Sequence, residues 1–175
     1  MSSLYRRLLG EKLDQWPYSL RGFHDIEEET VFEGTFRITR RKGWIARFLC
    51  WISRLPPAAE SVPIRLRVVP DGERELWIRH FGEHELRSVQ WLHRGELLEK
   101  LGPVTFSYDL IVEENAFRMF TKKTWLFGWI PWPRFLSPKG TGEEIAEGDS
   151  IRADVRVKMP LLGEIIRYEG TVTRC

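Results

Sequence analysis

The chain has 175 residues, 42% of them apolar, and a formal net charge of +2. This length is that of one domain over residues 1–175, with enough apolar residues to fold without a disulfide framework, and its two cysteines suit a reducing compartment. The 27 basic and 25 acidic residues lack the basic excess of a dedicated nucleic-acid binder, so no nucleic-acid partner is expected.

Residues 1–16 predict a short N-terminal helix. Their apolar side chains recur every three or four residues until Pro17, as Tyr5, Leu9, Leu13 and Trp16. The segment has no apolar run long enough for a signal peptide, and the chain has no stretch of about 20 apolar residues that would span a membrane. We therefore expect a cytoplasmic protein.

A loop over residues 17–25 leads into a predicted strand over residues 30–40, where apolar and polar residues alternate. Gly34 within this strand marks either a bulge or a close backbone contact. A second, amphipathic helix is predicted over residues 43–55, because apolar residues recur there with helical spacing up to a Pro-Pro pair. A helix inside a domain must bury its apolar stripe, so we expect it to cap the sheet with Trp44, Phe48 and Trp51 buried.

From residue 62 to residue 174 the apolar period is two, with turn residues at hairpin spacing. The segment predicts an antiparallel meander that ends in a closing hairpin. Residues 124–133 combine three Trp with two Pro, which is typical of a short edge strand or an aromatic loop. Residues 137–149 are predicted to be loop-like.

These elements predict a mainly β fold of about eight to ten antiparallel strands with two short helices. A sheet of that size with one apolar face must curl or close to remove its edges. We therefore expect a strongly curved sheet or barrel, calycin-like, with one helix capping it. A β-sandwich is the alternative.

Two successive tight turns suggest a group of polar side chains on the apolar face of the sheet. Symmetric pairing sets Trp77 opposite Gln90, Arg79 opposite Ser88, and Gln90 opposite Glu99. The same face carries Phe81 and several leucines, so we expect it to be buried. An isolated charge there would cost several kcal/mol, so Arg79 and Glu99 should pair with each other or with a charge on a ligand. A buried ion pair that only fixes the strand register is the alternative.

Two further residues join this candidate ligand site. Tyr168 shares the apolar face of the closing hairpin, and its hydroxyl needs a polar partner. His24 follows the first helix, in the predicted loop, where it either faces a pocket or fixes the loop with a hydrogen bond. The chain has no His or Cys spacing typical of a metal site, no nucleophile elbow and no phosphate-binding glycine loop, so neither a metal nor a cofactor is expected.

A surface site is the alternative location for function. The second helix and the Trp-rich segment combine basic with aromatic residues, a composition typical of elements that rest on a membrane or a protein partner. The candidate residues of this surface site are Arg40, Arg41, Lys42, Trp125, Trp129 and Trp132.

Several motifs occur together in one order along the chain. They are His24 after the first helix, Phe32-Glu-Gly-Thr, Arg41-Lys-Gly-Trp before a helix that ends at Leu55-Pro-Pro, Val62-Pro, Glu75-Leu-Trp-Ile-Arg-His-Phe-Gly, Glu99-Lys-Leu-Gly-Pro, Met159-Pro-Leu-Leu-Gly and Tyr168-Glu-Gly. This order resembles the bacterial family catalogued as domain of unknown function 4166, over nearly the whole chain. The resemblance implies a bacterial domain, and it implies no activity and no catalytic residue.

Three functions stay open from the residues. The leading hypothesis is a module that binds a hydrophobic or amphipathic small molecule inside the curved sheet. The second is a protein-interaction or membrane-docking module that uses the surface site. The third is an acid–base enzyme, for which only Glu99, Arg79 and His24 are candidates. An internal cavity favours the first, a solid interior with an exposed aromatic patch the second, and a Glu with a shifted pKa in an open cleft the third.

Overall fold

The computed structural model describes residues 2–133 and 135–175. Its elements are α1 (Leu4–Leu9), a 3-10 helix (Gly10–Gln15), α2 (Tyr18–His24), β1 (Thr30–Arg40), α3 (Trp44–Ile52), β2 (Ala59–Asp71), β3 (Arg74–Phe81), β4 (His84–His93), β5 (Glu96–Leu101), β6 (Val104–Val112), β7 (Ala116–Leu126), β8 (Ile130–Pro131), β9 (Lys139–Glu147), β10 (Ser150–Met159) and β11 (Gly163–Arg174). None of the described helices is both long and apolar enough to cross a membrane.

Ten strands close into an antiparallel barrel. Strands β1 to β7 pair in succession, β7 also pairs with β9, and β9, β10 and β11 lead back to β1. The short β8 pairs only with the end of β7, as the prediction of an edge strand in the Trp-rich segment requires. Closure removes the exposed edges of the sheet. The predicted mainly β, curved or barrel-like fold is therefore confirmed, and the sandwich alternative is wrong.

Because neighbouring strands are antiparallel, successive connections alternate between the two ends of the barrel. The end that carries the N-terminal helices is called the floor. There the Trp16 indole donates to the carbonyl of Glu113 in the β6–β7 turn, and Arg7 donates to the carbonyl of Glu73 in the β2–β3 turn. The opposite end, called the mouth, carries α3, residues 127–133 and 135–138, and the β10–β11 turn.

The N-terminal helices close the floor. Their apolar side chains are buried against the barrel interior: Leu4, Tyr5, Leu13, Trp16, Leu20, Phe23 and Ile26. The helix predicted over residues 1–16 is interrupted at Gly10, whose φ of +58° is incompatible with a continuous α-helix. The predicted loop at residues 17–25 is wrong, because α2 begins directly after Pro17. Proline ends a preceding helix but is well tolerated at the start of the next one.

The predicted loop at residues 137–149 is also wrong, because Lys139–Glu147 form β9. Glycines hide the alternation in this segment. The inward positions Gly140 and Gly142 have no side chains, and the side chain of Met119 on β7 fills the space above Gly142. A strand without side chains at its core-facing positions has no apolar period of two to detect.

Strands β1 and β11 approach each other more closely than side chains would allow. A Cβ on Gly34 would lie 1.8 Å from the carbonyl oxygen of Thr171, and one on Gly170 would lie 2.1 Å from the carbonyl oxygen of Thr35. Gly34 therefore marks a close backbone contact rather than a bulge.

Helix α3 does not cap the sheet, and the expected burial of its aromatic stripe is wrong. The exposed fraction is 78% for Trp44, 54% for Phe48 and 74% for Trp51. The buried side chains of the helix are the small ones, Ala46 and Cys50. The physical reason is that α3 packs against the barrel through the side that carries Ala46 and Cys50. The large side chains on its other side have no protein surface to pack against and face outward.

Candidate functional site

A cavity of about 510 Å³ runs inside the barrel from floor to mouth. Tyr5 and Phe23 line its floor end, and Phe48, Phe127 and Trp132 line its mouth end. Phe48 and Phe127 are also more than half exposed, so the cavity opens to the outside between them. Its volume lies within the range of about 300–1,000 Å³ that small-molecule sites occupy.

The cavity exists because one wall of the barrel carries small side chains. The inward positions of β9 and β10 include Gly140, Gly142, Ala153 and Val155. Barrels of eight strands are just wide enough for side chains to fill, and ten strands enclose more space. The small residues opposite Trp77 and its neighbours leave that extra space unfilled.

A polar cluster, formed by Arg79, Ser88, Glu99 and Tyr108, lies about halfway along the barrel. One Arg79 nitrogen donates to Ser88 Oγ at 2.8 Å, and the other lies 3.6 Å from Glu99 Oε1. The Tyr108 hydroxyl donates to Glu99 Oε2 at 2.7 Å. The guanidinium also stacks 5.3 Å from the ring of Trp77. The predicted pairing of Arg79 with Glu99 on the inner face is therefore confirmed.

The register that underlies this cluster was predicted correctly for one turn and wrongly for the other. Gln90 lies opposite Glu99 as predicted. Trp77, however, lies opposite Ser88, and Arg79 opposite Leu86. The β3–β4 turn has only two residues, with Gly82 at a φ of +59°. The resulting shift of two residues keeps every side chain on its predicted face, because side chains alternate with a period of two.

A second polar layer lies nearer the floor. The Tyr5 hydroxyl donates to Gln90 Oε1 at 2.9 Å. The Glu75 carboxyl accepts from the backbone N–H of Leu4 at 3.3 Å and from the Trp77 indole at 3.2 Å. Burial raises the pKa of Glu75 to about 7. This layer joins the N-terminal helices to the barrel wall.

His24 belongs to helix α2 and is fully buried. Its Nε2 lies 2.6 Å from Glu144 Oε2, and its ring packs 4.2 Å from the ring of Tyr5 and 5.0 Å from that of Phe117. Glu144 lines the cavity, whereas His24 is not among the lining residues. The histidine therefore holds a cavity-facing carboxylate in place from behind.

The cavity also exposes phenol groups that stay protonated. Burial raises the pKa of Tyr168 to about 12 and raises the pKa of Tyr108 well above its ordinary value. The Tyr168 ring packs 5.6 Å from that of Phe81. Its hydroxyl forms no hydrogen bond with the other described residues, so it is available to an occupant of the cavity.

The residues predicted for the ligand site lie together. Six of them line the cavity: Arg79, Glu99, Gln90, Trp77, Phe81 and Tyr168. Ser88 and His24 lie behind the lining and hydrogen-bond to Arg79 and Glu144. Their role in ligand binding stays a prediction.

Four polar residues of the interior were not predicted: Tyr5, Glu75, Tyr108 and Glu144. Glu75 and Tyr108 alternate in phase with Trp77 and with Phe106, so strand parity alone could have found them. Glu144 was hidden by the loop assignment. Tyr5 was recognised only as an apolar residue of the first helix.

The residues predicted for the surface site lie near the mouth. Trp129 is 75% exposed, Trp132 lines the cavity and Trp125 is half-buried. Arg40 ends β1, and the exposed Arg41 and Lys42 follow it.

The charged side chains of the interior have hydrogen-bond or ion-pair partners. Arg79 pairs with Glu99, and Glu144 pairs with His24. Glu75, the carboxyl whose pKa is raised, is held by Trp77 and Leu4 and does not line the cavity. Within residues 2–133 and 135–175, no group of three or more His, Cys, Asp or Glu side chains is placed to hold a metal ion.

The hydrogen bond between Tyr5 and Gln90 gives a test of how the floor is fixed. We expect Tyr5→Phe to lower the free energy of unfolding by about 1 kcal/mol, because the buried Gln90 carbonyl loses its donor while the ring still fills its place. Urea denaturation monitored by tryptophan fluorescence measures the change. Tyr18→Phe, at an exposed tyrosine of α2, is the control and should leave the stability unchanged.

Comparison with known proteins gives one match, to a family model. No curated protein is significantly similar to the chain. A family model matches residues 17–172, which include α2, the whole barrel except the last residues of β11, and every residue of the polar cluster. The chain therefore belongs to the family described as domain of unknown function (DUF4166).

Proposed function

We propose that the protein binds one amphipathic small molecule inside the barrel. The observation that carries the proposal is a cavity of about 510 Å³ whose walls are mainly apolar, with a few polar side chains at the polar cluster and nearer the floor. Apolar walls with a small number of convergent polar groups are typical of sites that bury most of a ligand. The polar head of the ligand lies at the polar cluster, and its apolar tail points to the mouth.

The charges of the cavity favour a neutral head. Because Arg79 and Glu99 already neutralise each other, a charged head at the polar cluster would lose its hydration without gaining a net counter-charge. The groups available for hydrogen bonds are the Tyr168 hydroxyl, the amide nitrogen of Gln90, whose oxygen already accepts from Tyr5, and the guanidinium N–H groups of Arg79 that Ser88 and Glu99 leave free. They fit a head that carries a hydroxyl, ester or amide group.

Filling the cavity should abolish binding. We expect the fluorescent apolar probe N-phenyl-1-naphthylamine to bind the wild-type protein, and Val155→Trp to weaken that binding by about tenfold or more, because the indole would occupy the space that the probe needs. Thr35→Trp adds the same side chain on the exposed outer face of β1 and serves as the matched control. Fluorescence titration gives both affinities. Equal affinities for the two variants would contradict the proposal.

The natural ligand can be identified directly. Native mass spectrometry of protein purified from its own cells should show a mass above that of the chain, and the Val155→Trp variant should lack it.

A further inference from the structure

The mouth of the barrel gathers most of the exposed apolar surface. Among the described residues, all large exposed apolar side chains except Tyr18, Ile111 and Phe120 lie there: Trp44, Ile45, Phe48, Trp51, Ile52, Phe127, Trp129, Ile130, Phe135, Leu136 and Leu161. Large exposed apolar patches on a globular protein mark an interaction site. The uneven distribution makes this end of the barrel the candidate interaction surface.

Three separate segments form this apolar rim: α3, the described residues of the Trp-rich segment (127–133, 135 and 136) and the β10–β11 turn. The backbone N–H of Arg41, just before α3, donates to the carbonyl of Ile165, just after the turn, so these two segments are neighbours. The backbone N–H of Trp132 donates to the carbonyl of Thr124, which anchors the middle segment to β7. Phe48 and Phe127 line the cavity as well as the rim. The rim therefore surrounds the entrance.

Positive charge is concentrated in the same segments. Residues 40–58, 124–142 and 158–163 contain eight Lys or Arg and no Asp or Glu. Because the whole chain carries +2, the remainder of the chain carries a net charge of −6. A surface that combines tryptophans with an excess of basic over acidic residues is complementary to the interface of an anionic lipid bilayer, where Trp prefers the headgroup level and Lys or Arg contact phosphates.

We propose that the rim docks on the surface of an anionic phospholipid bilayer, with the mouth of the cavity facing the lipid. This inference rests on the proposed function, and it names where the ligand comes from or goes to. An amphipathic molecule could then pass between the bilayer and the barrel without exposing its apolar tail to water. Such exposure is unfavourable, because apolar surface is more stable in an apolar environment than in water. A protein partner would need a surface that is complementary in shape to three separate segments, whereas a fluid bilayer adapts to their shape.

Vesicle sedimentation tests the docking. We expect the wild-type protein to bind vesicles of phosphatidylcholine with phosphatidylglycerol about tenfold or more tightly than vesicles of phosphatidylcholine alone, and to be released by salt. The paired change Trp44→Ser with Trp51→Ser should weaken binding by about tenfold. Neither tryptophan lines the cavity. Ile111→Ser with Phe120→Ser, at exposed apolar residues away from the mouth, is the matched control and should bind as the wild type does.

A second pair of variants tests the charge. Arg41→Glu with Lys42→Glu should abolish the preference for phosphatidylglycerol, while Lys12→Glu with Arg94→Glu, at exposed residues near the floor, should retain most of it. Equal loss in both pairs would show attraction by net charge alone and would overturn the docking surface.

The outcomes separate docking from ligand binding. If the Trp44 and Trp51 variant binds vesicles as the wild type does, the docking proposal is overturned, and binding of N-phenyl-1-naphthylamine still decides the proposed function. If the wild type binds vesicles but no probe, the docking surface stands and the proposed function fails. If the wild type binds no vesicles and instead self-associates in sedimentation velocity through the same tryptophans, the rim is a protein interface and the docking proposal is overturned.

Discussion

Glu99→Leu is expected to lower the free energy of unfolding by about 3–5 kcal/mol. The change leaves the Arg79 guanidinium in an apolar wall without its counter-charge, and it removes the acceptor of the Tyr108 hydroxyl. Removing one partner of a buried ion pair costs this much because the remaining charge stays desolvated without a counter-charge. Replacing both partners, as Arg79→Met with Glu99→Leu, should restore most of the lost stability. Urea denaturation of the three proteins measures the effect.

The same double variant distinguishes a ligand-binding cluster from one that only fixes the strand register. Because the cavity loses two charged side chains and keeps its apolar walls, the variant should still bind N-phenyl-1-naphthylamine. It should bind 1-monoolein, whose head carries hydroxyl and ester groups, about tenfold more weakly than the wild type, since a loss of one or two hydrogen bonds has this size. Unchanged binding of 1-monoolein would show that the polar cluster serves the fold and not the ligand.

The barrel could be predicted because its strands alternate and are joined by short turns. The inner-face position of Arg79 and Glu99 survived a wrong register, because the pairing error was a shift of two residues and parity was preserved. Gly140 and Gly142 defeated the same argument in β9. Where the inward positions have no side chains, a strand shows no apolar alternation. Because β9 was predicted to be a loop, Glu144 was not identified as an interior residue.

The wrong prediction for α3 has a different cause. The burial of a helix depends on what surrounds it and not on its own apolar pattern. The apolar stripe of α3 has the spacing of a core helix, yet Trp44 and Trp51 are exposed. The helix buries Ala46 and Cys50 against the barrel instead. A sequence pattern predicts an apolar face and leaves open whether protein or lipid covers it. The structure alone shows that this face is exposed, and this exposure contradicts the prediction that α3 buries its aromatic stripe against the sheet.

The pH dependence of stability should carry the signature of Glu75. Its carboxyl has a pKa of about 7 in the folded protein because of burial, above the ordinary value of 4.5. Below pH 4.5 the group is protonated in both the folded and the unfolded protein. Between pH 4.5 and pH 7 the folded protein holds a proton that the unfolded chain has lost, so stability falls as pH rises through this window. The loss is complete above pH 7 and amounts to about 3 kcal/mol.

Glu75→Gln isolates this contribution, because an amide of nearly the same shape cannot ionise. We expect the difference in unfolding free energy between wild type and variant to change by about 3 kcal/mol in favour of the variant from pH 4.5 to pH 8. Glu73→Gln, at a carboxylate that is 86% exposed in the β2–β3 turn, is the matched control and should follow the wild-type profile. Denaturation curves at a series of pH values give the comparison. Parallel profiles for wild type and Glu75→Gln would mean that the carboxyl between Leu4 and Trp77 ionises as freely as one in water, and that the floor is open to solvent.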